Sequence, residues 1–298
     1  MKKAFTLIEL VVAVALLAMM LGFASVIFRV SIEAYRTAGA NTEIMQKLRA
    51  VTDQLNADFK GQIWNAPGRI RFGFGNSDIN GEIVQVRSDS IVFFANGDFQ
   101  STGQYPYMKS GGGEGLKTIS GNVATIFYGL ADVTGYDQRE KYDPKKKILV
   151  RRQTILAADS SLKNDLVLDP PGEDQPGEYC NTKSLSELIA DEFDANDIMD
   201  KPNLDPNDED DLVMYMAKGV DDFTIQYVGL DYDEFGNLVE EFEFNEWRPV
   251  NKDIRDAPVE WEGKSFAPLA FKFTFTLYDS KGIIERGREF THIVYLGD

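Results

Sequence analysis

Glu9 is the one ionisable side chain in the 24 residues from Phe5 to Phe28. Taking a carboxylate into such an apolar run costs about 2 to 3 kcal/mol on insertion scales, and it usually marks a specific partner. The competing reading is a side chain that snorkels to the headgroups. A second group of oxygen donors lies far downstream. Asp205, Asn207, Asp208, Glu209 and Asp210 stand close together, and hard cations such as calcium want several oxygens on a short loop. The glycine of an EF-hand loop is missing, and Met216 stands where its last carboxylate would be. A solvated acidic loop is the alternative. Asp231, Asp233 and Gly236 form a similar incomplete pattern, with Phe235 at a ligand position.

Other chemistry is poorly supplied. His292 is the one histidine and Cys180 the one cysteine, so a single chain has no disulfide and no His–His or His–Cys constellation. Cys180 has no basic neighbour in sequence to activate it, and His292 reads as a structural imidazole in the last strand. GxSxG, HExxH, Walker A and CxxC patterns are absent, and Gly111–Gly115 lacks the Lys-Ser/Thr of a phosphate loop. A structural protein rather than an enzyme is expected, with no cofactor beyond that candidate calcium. The net charge of -17 repels nucleic-acid phosphates, so no nucleic-acid partner is expected.

The elements that carry Glu9 follow from periodicity. As a helix, Phe5 to Phe28 spans roughly 36 Å, enough to cross a hydrocarbon core of about 30 Å. Lys2 and Lys3 precede it, which keeps the short N-terminus cytoplasmic and exports the rest. The run is longer than the 7 to 15 apolar residues of a cleaved secretory signal. The helix is predicted to continue to Phe59, because Ile44, Leu48, Val51, Leu55 and Phe59 recur at steps of three and four. Gly61 and Pro67-Gly68 close it.

Strands are expected after that. Arg69–Phe74, Glu82–Arg87, Ser90–Ala95, Val123–Leu130 and Lys147–Leu156 come first. Gly219–Gly229 and Leu238–Trp247 make a hairpin around residues 233–237, and Ala270–Tyr278 turns into Ile283–Leu296. Phe271, Phe273, Phe275 and Leu277 alternate with polar residues, one face toward a core. Gln100–Gly115 reads as a glycine-rich mobile loop. Ala157–Asp211 reads as an acidic insertion: ten of the 21 residues from Asp191 to Asp211 are Asp or Glu, and such a block is usually solvated. Within it, Ser184–Glu187 is a capping box that starts a short helix to about Phe193. The expected fold is α+β, one long helix packed on antiparallel sheets. Its organisation is residues 1–4, 5–28 in the membrane, 29–60 as exported helix, and 61–298 as a β-rich head.

Lys2-Lys3-Ala4-Phe5-Thr6-Leu7-Ile8-Glu9-Leu10 closely resembles the leader and mature start of type IV prepilins and type II secretion pseudopilins. The resemblance implies cleavage between Ala4 and Phe5 by a prepilin peptidase, N-methylation of Phe5, and a role for Glu9 in pairing with a neighbour's N-terminal amine during assembly. The family usually has Gly before the cut, where this chain has Ala4. In the head, Ile126-Phe127-Tyr128 and Ile148–Arg152 resemble strands of J-type minor pseudopilins, as do Gly219–Tyr227, Trp247 and Pro268–Phe271. That resemblance implies a place at the tip of a secretion pseudopilus with I- and K-type subunits, the major pseudopilin and an inner-membrane assembly platform, the head lying in the periplasm. A minor pilin of a type IV pilus and a membrane-anchored domain that never polymerises are the alternatives.

Overall fold

The protein is described by a computed structural model, in which residues 7–63, 68–79, 81–108, 113–157, 179–180, 201–205, 207–208, 211–232, 238–241, 259–261 and 266–296 are described. The elements run α1 (Leu7–Lys60), β1 (Gly68–Arg71), β2 (Phe74–Ile79), β3 (Glu82–Arg87), β4 (Ser90–Met108), β5 (Glu114–Leu130), β6 (Asp132–Val133), α2 (Gln138–Tyr142), β7 (Ile148–Leu156), β8 (Tyr179–Cys180), β9 (Asn203–Leu204), β10 (Tyr215–Lys218), β11 (Val220–Tyr232), β12 (Leu238–Glu241), β13 (Val259–Trp261), β14 (Phe266–Leu277) and β15 (Arg288–Tyr295). The predicted α+β architecture is the observed one.

At 54 residues, α1 is about 81 Å long. From Leu7 to Gly39 nearly every side chain is exposed. Burial begins at Ala40, and Ile44, Val51, Leu55 and Phe59 then turn one face inward. Leu48, at the same helical spacing, is only partly buried.

Two sheets receive that face. The larger has the order β10-β7-β5-β4-β1-β13, antiparallel throughout, with β8 added parallel to β7. The smaller has the order β12-β11-β14-β15. Phe59 joins them: its ring stacks on Phe93 of β4 at 4.2 Å and lies 5.3 Å from Phe271 and 5.6 Å from Phe273 of β14. Phe271, Phe273, Phe275 and Leu277 are all buried, as the alternation along β14 requires. Gly61 ends the helix where the chain brushes β4. A Cβ there would come within 2.2 Å of the Asn96 carbonyl oxygen, so only glycine allows the approach.

One expectation is overturned. Gln100–Gly115 is no loop as a whole, because β4 and β5 pair from Ile91↔Tyr128 out to Met108↔Glu114; residues 109–112 lie outside the described residues. The Ser101 hydroxyl donates to the Gly103 carbonyl and accepts the Ile119 amide. Register shifts beyond Asn96 and Gln100 absorb the extra residues. Ile119 is buried with Ile155 and Ala157, and Phe99, Tyr105 and Tyr107 pack against them. The aromatic residues, not the glycines, decide this stretch.

Most of the acidic segment lies outside the described residues, and those of its residues that are described pack on the head. β8 pairs with β7, and β9 pairs with β6. Leu204 is fully buried against Val92, Phe94, Phe127, Ile148 and Val150 on the outer face of the larger sheet, with Met214 beside them. Apolar residues scattered among the acids anchor it. The predicted helix from Ser184, the 233–237 turn and the end of the Leu238–Trp247 strand lie outside the described residues.

Candidate functional site

The long helix is the candidate site, and the head is built to hold it in one orientation. Glu9 lies near the start of α1 with its side chain exposed, among Leu7, Ile8, Leu10, Val11 and Val12, which are all exposed too. Ala4 and Phe5 precede the described residues. Fourteen of the residues from Phe5 to Phe28 are Leu, Ile, Val or Phe, each favouring the bilayer by about 0.3 to 0.6 kcal/mol. Their sum exceeds the roughly 3 kcal/mol that an acidic side chain costs even at the helix centre. Glu9 is thus no bar to insertion by this arithmetic, and the apolar half fits a single-pass membrane anchor with the head outside.

Three polar contacts grip the other half of the helix at successive heights. Nearest the apolar half, the Glu43 carboxylate accepts from the Ser280 amide at 2.8 Å and the Ser280 hydroxyl at 3.0 Å, and pairs with Lys47 at 2.9 Å. Lys47 donates to the Tyr278 carbonyl at 2.8 Å. Burial alone would raise the Glu43 pKa, but the bonds from Lys47 and Ser280 outweigh it and hold the group below the usual carboxylate range. Further along, His292 Nε2 of β15 lies 2.9 Å from Asn56 Oδ1. Burial lowers the His292 pKa, opposed only in part by Asp53.

The third contact is at the helix end. Asp58 is buried on the apolar face. Arg151 of β7 donates to it twice, Nε to Oδ2 at 2.6 Å and Nη2 to Oδ1 at 2.8 Å. The Tyr128 hydroxyl of β5 donates to it as well, and Gln54 adds a bond at 3.1 Å. Burial pushes the Tyr128 hydroxyl well above its ordinary pKa, and the Asp58 charge adds to that. Burial works against the Arg151 charge, but the bonds from Asp58 more than restore it.

Sequence reasoning passed over Asp58, Glu43 and Ser280 and met Arg151 only within the stretch that resembles J-type strands. One signal was present: Asp58 stands three residues after Leu55 and seven after Val51, an acid on the apolar stripe.

The other candidates are placed differently. Asp205 Oδ1 accepts from the Asn207 amide and side chain, and the Asp205 amide donates to Asp211. The Asp208 amide donates to the Asp205 carbonyl. Glu209 and Asp210 lie outside the described residues, and among those described no three His, Cys, Asp or Glu side chains converge as metal ligands. In the Gly219–Tyr227 stretch, Asp221 is buried, bonded to Ser77 and Lys147 at 2.6 Å each. Asp222 takes a positive φ of 52° and accepts the Arg87 amide. These acids shape a bulge where β11 shifts register against β14, so their part is structural.

Residues 1–25 match the family model for the prokaryotic N-terminal methylation motif. The protein is type IV pilin-like. No curated protein and no solved structure matches the chain. From Leu7 on, the motif falls on the exposed part of α1, and pilin-like proteins assemble with other pilin subunits after a prepilin peptidase has acted on them.

Proposed function

We propose that this chain is a structural minor pseudopilin of a type II secretion-like filament, in its tip complex, and not an enzyme. On this reading the prepilin peptidase cuts between Ala4 and Phe5, Phe5 is methylated, and the protein waits in the inner membrane with its head in the periplasm. The observation that carries the reading is the division of α1. Its first half, within the methylation motif and beyond it, is apolar and exposed, while its second half is bolted to the head by Glu43, Asn56 and Asp58. An anchor displayed so rigidly can be passed from lipid to a bundle of like helices. The likeness of the Tyr128 and Arg151 strands and of Gly219–Tyr227 to J-type subunits supports the place at the tip. I- and K-type subunits, the major pseudopilin and the assembly platform are then its partners.

Glu9 tests the proposal. In the assembling state its carboxylate would meet an amine in low dielectric, where losing one partner of a pair costs several kcal/mol. Glu9→Leu should leave membrane insertion and cleavage intact and reduce incorporation into sheared filaments at least about tenfold, since 1.4 kcal/mol is already a factor of ten. Equal co-isolation of wild-type and variant chains, at equal membrane levels, would reduce Glu9 to a snorkelling residue and remove the assembly role.

A further inference from the structure

The β14–β15 hairpin runs down α1 toward the membrane. His292 faces Asn56, Tyr278 receives Lys47, and Ser280 caps Glu43. Lys281 and Ile283 then close a groove of about 580 Å³ with Tyr35, Arg36 and Gly39. The turn from Asp279 to Gly287 is thus the membrane-facing end of this hairpin.

Its height above the bilayer follows from helix geometry. The hydrocarbon run ends at Phe28, and Arg36 lies eight residues on, a rise of about 12 Å. The headgroup layer takes up roughly 6 Å of that. Arg36 and the Lys281 beside it therefore stand about 6 Å above the headgroups, within the Debye length of about 8 Å at physiological salt.

The charge at this level runs against the rest of the molecule. The chain carries -17, yet Arg36 and Lys281 are exposed here, Arg286 is exposed in the same turn, and Arg29 is exposed about 10 Å lower on α1. Lys145 joins them, its ammonium lying where a Cβ on Gly282 would be only 2.6 Å away. Exposed acids at this level are Glu33 and Glu285; Asp143, half-buried like Lys145, accepts that residue's amide, Asp279 is buried, bonded to the amides of Ile283 and Ile284, and Glu43 is held by Lys47 and Ser280. Tyr35 is exposed beside them, the residue type of a membrane–water interface.

We infer that the Asp279–Gly287 turn, with Arg36 and Lys145, docks on anionic phospholipid headgroups and seats the head on the membrane before assembly. This rests on the anchor reading of α1. Juxtamembrane lysines and arginines are each attracted to an anionic surface by about 1 kcal/mol, and the anchor keeps the turn there without any binding step from solution. An acidic remainder repelled by the same surface fixes which side faces down.

The test uses the full chain in nanodiscs of phosphatidylcholine, with or without about one third phosphatidylglycerol. Amide hydrogen exchange over residues 280–287 should be about tenfold slower in the anionic discs. The difference should vanish near 1 M salt, where the Debye length is about 3 Å, and in Lys281→Glu/Arg286→Glu. Equal exchange in both lipids overturns the inference, as does slowing that survives high salt. Slowing that appears only when another pilin-like subunit is added assigns the turn to a protein interface and also overturns it. A chain that leaves the discs overturns the anchor itself, and this inference with it.

Discussion

Asp58 shows how much one buried acid can fix. It faces a bidentate arginine, a tyrosine and a glutamine, and it joins a helix to two strands that lie far away in sequence. Removing one partner from a buried pair leaves a charge without compensation and typically costs about 3 to 5 kcal/mol. Arg151→Met should cost that much, lowering the melting temperature by about 6 °C or more for a head of this size. Thermal unfolding of the detergent-solubilised chain measures it, and a drop below about 2 °C would show that the pair contributes little. His292 gives a pH-dependent counterpart. Its folded pKa lies below the ordinary histidine value because burial disfavours the imidazolium. Its contribution to stability is therefore present above the unfolded pKa and is lost as pH falls through the folded one. Between pH 7.5 and 5, the wild type should lose more melting temperature than His292→Gln; parallel curves would show that the imidazole is indifferent to its site.

At the level of elements, α1 is two helices in function and one in geometry. Its exported half is held by an apolar stripe, and Phe59 is the contact that reaches both sheets. Phe59→Ala should cost about 3 to 5 kcal/mol, as for other buried aromatic truncations. Leu48→Ala, on the same stripe but only partly buried, should cost under about half as much. Denaturant midpoints of the two variants decide this, and equal losses would mean that the helix sits on one sheet rather than between two. The long β4–β5 hairpin carries a related lesson. Glycine-rich sequence was compatible with a loop, yet Tyr105, Tyr107 and Ile119 packed on β7 favour continued pairing.

Taken whole, the molecule is an anchor displayed by a scaffold. Cleavage at Ala4–Phe5 should remove the short leader Met1 to Ala4. Intact-mass measurement of membrane-extracted protein, made with the prepilin peptidase present, tests this. A dominant species that retains Met1 to Ala4 would contradict the proposed maturation. The apolar half of α1 should stay with the membrane in either case, because insertion depends on the run after the leader rather than on the cut.

The sequence by itself determined the anchor, the length of the helix, its buried stripe and the alternation of β14. Each is a local periodicity, set by 3.6 residues per turn or two per strand, and a short window of residues suffices to reveal it. The methylation motif is local in the same sense, eight or nine residues with one acid in an apolar run. Tertiary structure decided the rest. Asp58 and Arg151 are 93 positions apart, and Glu43 and Ser280 are 237 apart. Such pairs exist only once sheet register has brought the elements together, because shifting a strand by one residue sends every side chain to the opposite face. The basic turn beneath an acidic head is of the same kind. Its lysines and arginines come from three separate stretches of sequence, and the descent of the β14–β15 hairpin along α1 brings Lys281 and Lys145 to the side of Arg36.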